Sequence, residues 1–169
     1  GNAPAGVAQV KVDYIDTSSA NVGENNQVLV VNGSGSGMVR GTNYAILKEE
    51  IKEIFLSKTP SEMNVLVHSA SGGTGSILGN LAAKEILSNP NRDVIVMLVG
   101  SRGSEIEVKN TISTIKTYAS ISKEIGRVIP VVFFENTPET PRGLVDQSVN
   151  SAIAVLTVLF SGQNGELDK

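Results

Sequence analysis

The segment Val65–Leu87 constrains the fold of this chain most, because it joins an apolar run, a loop of small residues and a helical pattern. The run Val65–Val67 predicts a buried strand, and apolar residues at helical spacing from Ile77 onward predict a helix. Between them lies Ser69–Ser76, rich in glycine and serine. The first N–H groups of a helix have no partner within it, and the helix dipole makes that end positive. A strand, a glycine-rich turn and a helix in this order therefore predict an anion site.

This loop is not a Walker phosphate-binding loop, since that motif ends in Gly-Lys-Ser/Thr and its lysine reaches the outer phosphates. Here Gly75 is followed by Ser76 and Ile77. Glycine lets the backbone approach a phosphate without a Cβ in the way, and the hydroxyls of Thr74 and Ser76 are expected to act as additional donors. The alternative is a tight strand-to-helix turn that holds no ligand.

The composition excludes several classes of function. The 169 residues suit one domain, and 40% of them are hydrophobic, enough for a full core. The chain has no cysteine, which excludes disulfides, thiol catalysis and cysteine-ligated metals. Its one histidine, His68, cannot build a histidine metal cage, and without an evident triad partner it is expected to be structural. The net charge of −3 gives no signal for direct nucleic-acid binding.

The sequence also indicates where the protein acts. No apolar run approaches the roughly 18 residues that a membrane helix needs. The beginning of the chain lacks the basic and then apolar pattern of a signal peptide. We therefore expect a cytoplasmic protein without a membrane segment.

Apolar runs and helical patterns alternate along the rest of the chain. Four further runs predict strands: Val10–Asp16, Gln27–Val31, Asp93–Val99 and Val128–Phe134. Three patterns predict helices: Thr42–Ser57, Glu105–Ile125 and Gly143–Phe160. The alternation predicts an α/β fold, a mainly parallel sheet with helices on both faces. Pro130 is tolerable near the start of its strand, or it marks an edge strand.

The spacing of apolar residues also predicts which helix faces are buried. In the first helix these residues are Tyr44, Ile46, Leu47, Ile51, Ile54 and Phe55. In helix Glu105–Ile125 they are Ile106, Ile112, Ile115, Ala119 and Ile121. The last helix is apolar on most sides, and we expect it to be buried between layers or against another domain.

The polar and glycine-rich loops share one position in this predicted fold, because each follows a strand. The run Asn32–Gly37 is a second glycine-rich loop of this kind. The carboxyl ends of parallel strands lie at one edge of a sheet, and ligands bind outside that edge. The convergence of several such loops at one edge is stronger support for a ligand site than any single loop.

Ser71–Ser76 resembles the GGGTGTG signature of the tubulin/FtsZ superfamily, with serine for the first glycine and for the last threonine. Its ending in Gly-Ser is most similar to the tubulins that phages and plasmids encode. The resemblance implies the superfamily's Rossmann-like nucleotide-binding fold, with residues 1–169 forming the GTP-binding domain. It also implies that the superfamily's first strand and its C-terminal second domain are missing from this chain.

The resemblance implies two loops that bind the phosphates of GTP. The second consists of Ser71, Gly72, Gly73, Thr74, Gly75 and Ser76. The first, which senses the γ-phosphate, contributes Gly33, Gly35, Ser36 and Gly37. Asp16 matches a loop near the phosphates and magnesium and is assigned to the metal. The implied cofactors are GTP or GDP and Mg²⁺.

Other positions match the regions that hold the nucleoside in this superfamily. They are Asn2, Glu105, Asn110, Asn136, Arg142 and Asp146. In the superfamily's central helix an aromatic residue and, four positions later, an Asp or Asn hold the guanine, and Arg142 and Asp146 have that spacing. Arginine can stack its flat guanidinium on a base, and Asp146 can accept from the guanine N1–H and N2 amino groups. Acids at a helix start also complement its dipole, which is the alternative role of Glu105 and Asp146.

Asn164–Asp168 resembles the start of the superfamily's synergy loop, which enters the neighbouring subunit's nucleotide site and helps polarise the attacking water. Asp168 matches the first acid of that loop, and the second would lie beyond Lys169. The resemblance thus implies that the chain assembles into a head-to-tail homopolymer. It also implies a GTPase whose GTP hydrolysis is completed across the subunit interface. The implied role is a cytoskeletal filament that positions viral particles or DNA through a viral or plasmid cargo or adaptor. A phage-encoded protein would do so in the host bacterial cytoplasm.

Two other functions compete with this interpretation. Val28–Gly41 resembles a strand and the glycine turn of an NAD(P)-binding Rossmann oxidoreductase. That pattern alone is weak, leaves Ser71–Ser76 unexplained, and has no acid at the end of the next strand to hold a ribose. The other alternative is a non-catalytic structural relative of tubulin that keeps the fold and has lost turnover.

Overall fold

The computed structural model of the protein describes residues 11–16, 28–30, 44–140 and 142–160. Strands and helices alternate through this part of the chain. The strands are β1 (Tyr14–Asp16), β2 (Val28–Val30), β3 (Met63–Ser69), β4 (Asp93–Ser101) and β5 (Val131–Asn136). The helices are α1 (Tyr44–Ser57), α2 (Gly75–Leu87), α3 (Glu105–Ile125) and α4 (Arg142–Leu159).

All strand pairs in the described residues are parallel. β3, β4 and β5 form a three-stranded sheet in that order, and β1 pairs with β2. α1 packs on α2 and α2 on α3, whereas α4 packs mainly on β5. The predicted α/β fold with a parallel sheet is therefore confirmed. The strand ends Ser69, Ser101 and Asn136 lie at the same edge of the three-stranded sheet.

Most predicted element bounds agree with the structure, and the exceptions are β1, which begins at Tyr14 rather than Val10, and β5. β5 begins at Val131 rather than Val128, directly after Pro130. Proline has no N–H to give to a strand ladder. Its carbonyl oxygen accepts from Val96 N–H at 2.9 Å, so the pairing with β4 starts there. Pro130 therefore marks the start of the strand, as the sequence allowed.

The core lies between α2 and its neighbours. α2 is buried at ten of its positions, and β4 contributes the fully buried Val96, Met97 and Leu98. One cluster joins α2 to α3 across β4 and includes Tyr118 and Ile121. The other joins α2 to α1, with Ile15 of β1 packed against it. An ion pair between Lys58 and Asp13, at 2.6 Å, also joins the end of α1 to the start of β1.

The buried face of α3 differs from the prediction. Its buried residues are Asn110, Thr114, Tyr118 and Ile121. Ile106, Ile112 and Ile115, which we expected in the core, are 44–48% exposed. The helix is thus rotated relative to the prediction, because polar side chains on its other face hydrogen-bond to β3 and the loop after it.

α1 and α4 are also less buried than predicted. Tyr44 and Ile46 of α1 are about half exposed, while Leu47 and Ile51 are in the core. In α4 only Val145 and Val149 are buried among its described side chains. Several large apolar residues of α4 and the position after it are exposed: Leu144, Val155, Val158, Leu159 and Phe160. The prediction that α4 is buried between layers is therefore wrong for this structure, and its burial against another domain stays a prediction.

Gly79 of α2 faces the ring of His68 on β3, and this close approach requires a glycine. A Cβ at position 79 would overlap the imidazole ring. We expect Gly79→Ala to destabilise the protein by roughly 1–3 kcal/mol, the range for overpacking a core, although alanine favours the helix itself. Urea unfolding measures the change.

Gly143→Ala is the matched control, because no described atom lies within 4 Å of a Cβ built there. It has the same gain in helix propensity from glycine to alanine but no steric overlap, so it should stabilise the protein by up to about 1 kcal/mol. Equal stability of the two variants would contradict the contact with His68.

Candidate functional site

The register of the sheet brings the loops after β3, β4 and β5 together at one edge. Ser69 pairs with Val99, and Ser101 pairs with Asn136. Neighbouring strands lie about 4.8 Å apart, so the ends of β3 and β5 are separated by roughly 10 Å. The loops 70–74, 102–104 and 137–140 therefore leave the sheet side by side.

The loop between β3 and α2 is closed by short hydrogen bonds. Ala70 N–H donates to Val99 O at 2.8 Å, which continues the pairing with β4 by one residue. Gly72 N–H donates to Ser69 Oγ at 3.0 Å, and Ser76 Oγ donates to Gly73 O at 3.1 Å. These bonds fix the loop in a compact turn, and Ile77 N–H in the first turn of α2 donates to Thr74 O at 3.0 Å.

The N-terminus of α2 differs from that of α3. Thr74 at the N-cap of α2 has helical backbone angles (φ −67°, ψ −58°), and its side chain caps no first-turn amide among the described residues. The first turn of α2 contains no acid. In α3, by contrast, Ser104 Oγ accepts from Glu107 N–H, and the Ser104 hydroxyl donates to the Glu107 carboxylate. The positive end of α2 therefore keeps its capacity to bind an anion.

Gly75 allows this loop to pack directly against the end of β3. A Cβ at position 75 would lie 3.1 Å from Ser69 O and 3.2 Å from Ser69 N. Both are backbone atoms, which cannot move without displacing the strand end. A glycine is therefore needed where the loop enters the helix.

Ser76 corrects part of the prediction for this loop. Its side chain is fully buried, and its hydroxyl donates to Gly73 O instead of facing the site. Any phosphate role of Ser76 therefore depends on its backbone N–H group. Ser71 is also buried at 7% exposure, whereas Gly72, Thr74 and Gly75 are partly exposed.

The predicted ribose and guanine residues have varied surroundings. Asn110 is buried at 6% exposure and donates from Nδ2 to Ser71 O at 2.9 Å, so in this structure its amide nitrogen supports the loop. Glu105 is exposed and pairs with Lys109 on the next turn of α3. Asn136 is partly buried at the end of β5, and Asp146 is exposed in α4. Their roles toward a nucleoside remain predictions.

Several other predicted residues fall where the structure gives no side-chain information. Asn2, Gly33, Gly35, Ser36, Gly37 and Asp168 lie outside the described residues. Asp16 ends β1 and Arg142 begins α4, but their side chains are not described. The structure therefore brings Ser71–Ser76 and Asn136 to one edge and leaves the first phosphate loop as a prediction.

His68 and two residues of α3 support the loop in a way that the sequence analysis missed. His68 Nε2 lies 2.6 Å from Tyr118 Oη, and Nδ1 lies 3.1 Å from Ser69 O. A carbonyl only accepts, so Nδ1 carries the proton and Nε2 accepts from the tyrosine. Burial raises the pKa of the Tyr118 hydroxyl, which keeps it protonated as the donor. The structural role predicted for His68 is confirmed.

Thr114 completes this support, since its hydroxyl is 3.0 Å from Ala70 O. Asn110, Thr114 and Tyr118 are spaced four residues apart, the repeat of one helix face. That spacing was the available signal, but it was obscured by the isoleucines on the other face.

A separate groove of about 330 Å³ lies between α3 and β5. It is lined mainly by apolar side chains, including Val108, Ile112 and Phe133. Arg102 and Glu135 form an ion pair at its polar end. Its apolar lining does not suit a phosphate chain.

Two further kinds of site were sought in the described part of the chain. No three acidic or histidine side chains there lie close enough together to hold a metal ion. None of the helices in the same residues is long and apolar enough to span a membrane.

The chain is similar in sequence and fold to tubulin-like proteins of bacteriophages. It is 26% identical over 161 residues to a phage tubulin-like protein of Pseudomonas phage PhiPA3, which covers 92% of this chain and 50% of that protein. A protofilament of TubZ from bacteriophage PhiKZ matches with a TM-score of 0.86 and 23% identity, over 94% of this chain and 52% of that one. The phage tubulin PhuZ with GDP matches with a TM-score of 0.80 and 24% identity, over 90% and 49%.

These similarities confirm the resemblance that Ser71–Ser76 indicated. The fold is that of tubulin-like proteins, and the relatives in sequence are phage tubulins. No family model matches the chain. The chain spans 41–50% of the length of the curated relatives that it matches.

Ser69 Oγ is the acceptor that fixes the Gly72 amide, and its removal should loosen the loop. We expect Ser69→Ala to lower stability by about 1 kcal/mol and to accelerate hydrogen exchange at Gly72, measured by NMR. Ser88→Ala is the control, because Ser88 Oγ donates only within its own helix end, to Glu85 O. Unchanged exchange at Gly72 in Ser69→Ala would contradict the role of this bond.

Proposed function

We propose that this chain, a tubulin/FtsZ superfamily relative close to the phage tubulins, binds a guanine nucleotide and hydrolyses GTP as part of a filament. The observation that carries the proposal is the N-terminus of α2, which is free of acids and of a side-chain cap among the described residues. It follows a glycine-rich loop at the carboxyl edge of a parallel sheet, where ligands of such sheets bind. An anion there meets both backbone N–H groups and the positive end of a helix dipole.

The two glycine-rich loops have distinct parts in this proposal. N–H groups of Gly73 and Gly75 would face the phosphates from one side, and those of Gly35–Gly37 from the other, since the Gly72 N–H is already bonded to Ser69 Oγ. Arg142 would stack on the base, and Asp146 would accept from the guanine N1–H and N2 groups, which adenine lacks. The exposure of Asp146 is compatible with such a contact. A related phage tubulin, PhuZ, was solved with GDP, which supports guanine as the base.

Magnesium would be held mainly by phosphate oxygens and water, as is common for this ion. The described residues offer no preformed acidic cage, which fits a metal that arrives with the nucleotide. Asp16 is the proposed protein contribution, since it ends β1. When bound, the ion would neutralise charge that develops on the β- and γ-phosphates. The chain's own residues would position the phosphates and exclude competing orientations.

Hydrolysis would be completed between two subunits. Asp168 would enter the neighbouring subunit's site and polarise the attacking water, so turnover would require head-to-tail self-association. A related TubZ was solved as a protofilament, which supports assembly of this kind. We propose that the filament positions viral particles or DNA, through a viral or plasmid cargo or adaptor, in the cytoplasm of a bacterial host. The relatives come from Pseudomonas phages, which supports this setting.

Two alternatives remain as outcomes of the experiments. A non-catalytic relative would bind nucleotide and assemble without turnover. An NAD(P)-binding oxidoreductase would bind a dinucleotide at the loop after Val28–Val30. The tubulin-like matches favour the GTPase over the oxidoreductase.

Gly73→Asp tests the phosphate assignment. A carboxylate in the loop would repel the phosphates, and we expect at least about a tenfold loss of GTP affinity, or roughly 1.4 kcal/mol. Titration with a fluorescent GTP analogue measures the affinity, and NAD⁺ serves as the competitor that should not displace it.

Asn91→Asp is the matched control for this variant. It adds the same charge at an exposed position before β4, at the opposite end of the sheet. It should bind GTP like the unmodified protein. Unchanged GTP affinity in Gly73→Asp would remove the phosphate role of this loop, and displacement by NAD⁺ would favour the oxidoreductase.

Asp168→Ala tests the catalytic assignment in the full-length protein. We expect nucleotide affinity within about twofold of the unmodified protein and hydrolysis slower by about 100-fold, the scale for losing a group that assists proton transfer. Phosphate release at several protein concentrations measures both turnover and its dependence on assembly. A rate per subunit that is independent of concentration would contradict hydrolysis across an interface.

A further inference from the structure

Three buried side chains on one face of α3 bond to the end of β3 and the loop after it. Asn110 Nδ2 donates to Ser71 O at 2.9 Å, and Thr114 Oγ1 lies 3.0 Å from Ala70 O. Tyr118 Oη lies 2.6 Å from His68 Nε2. Successive turns of one helix thus support positions 71, 70 and 68 in order. We call Asn110, Thr114 and Tyr118 the α3 polar stripe.

The α3 polar stripe takes the place that apolar residues would occupy in an ordinary core helix. Its members are only 6%, 0% and 2% exposed. Burying a polar group is costly unless it is hydrogen-bonded, so these residues stabilise the fold only while their bonds to the β3 end and its loop are intact. The helix has isoleucines available, but they lie on its half-exposed face.

These bonds determine which way the loop peptides face. In a trans peptide the C=O of one residue and the N–H of the next point in opposite directions. Thr114 and Asn110 hold the carbonyls of Ala70 and Ser71 toward α3, so the N–H groups of Ser71 and Gly72 point away from α3. The Gly72 N–H is bonded to Ser69 Oγ, which leaves the Ser71 N–H for an anion. The Ser69 carbonyl is likewise held, by His68 Nδ1. No carbonyl of these three residues is left to face an anion.

We propose that the α3 polar stripe consists of positioning residues for phosphate binding. They turn the loop carbonyls away from the site and direct the Ser71 N–H toward the phosphates. Thr114 and Tyr118 do so without contacting the nucleotide themselves. Thr114 is the central member, because its one hydroxyl proton is shared between Ala70 O at 3.0 Å and Asn110 O at 2.8 Å. This inference rests on the proposed function of the loop as a phosphate site.

Thr114→Val tests the proposal, since valine keeps the shape and removes the hydroxyl. Thr117→Val is the matched control, because the Thr117 hydroxyl bonds to Ser113 O of its own helix. Affinities for GTP and for guanosine are measured by displacement of labelled GDP. We expect Thr114→Val to lose about tenfold in GTP affinity, the scale for one lost buried hydrogen bond, with guanosine affinity unchanged. Thr117→Val should change neither, and Thr114→Ser should restore GTP binding.

Hydrogen exchange in the nucleotide-free protein separates this inference from the proposed function. We expect faster exchange of segment 70–76 in Thr114→Val, with β4 unaffected, and no such change in Thr117→Val. Tyr118 bonds to His68, two residues before Ala70, so Tyr118→Phe should have a smaller effect. It serves if Thr114→Val does not fold.

The outcomes are distinguishable. If the unmodified protein binds no GTP, the proposed function is wrong. The inference is then wrong too, whatever the hydrogen exchange shows. If the unmodified protein binds GTP normally, two results would overturn the inference alone. One is an equal loss of affinity for GTP and for guanosine in Thr114→Val. The other is unchanged hydrogen exchange of residues 70–76 in that variant.

Discussion

A sharp turn from a strand into a helix leaves backbone carbonyls that need hydrogen-bond donors. In this protein another helix provides those donors. The donors on α3 are 39 and 44 residues away in sequence from Ser71 and Ala70. The loop is thus shaped by tertiary contacts and by its own glycines together. The parallel pairing of β3 with β4 is a precondition, because it places α2 and α3 side by side.

Local periodicity was sufficient to predict where most elements lie. α2 and α3 begin and end close to the predicted residues, since apolar spacing, Gly126 at the C-cap and acids in the first turn of α3 are all local signals. Gly126 has the left-handed φ of 68° that this cap position favours. The anion site was predictable for the same reason, because strand, glycine loop and helix are consecutive in the chain.

The orientation of α3 and the exposure of α4 could not be predicted in this way. Asn110 and Thr114 lie outside the apolar face that spacing predicted, and their carbonyl partners are distant in sequence. The sequence pattern predicted that the isoleucines of α3 and the valines of α4 lie in the core. Several of them are exposed instead: Ile106, Ile112, Ile115, Val155 and Val158. Periodicity identifies two faces of a helix, but it does not say which face has a partner when both carry apolar groups.

The contact between Gly79 and the His68 ring has a mechanical consequence. With the imidazole seated against the helix backbone and tied to Tyr118, α2 has no room to roll about its own axis. A displacement of α2 toward β3 would therefore press on His68 and, through it, on Tyr118 of α3.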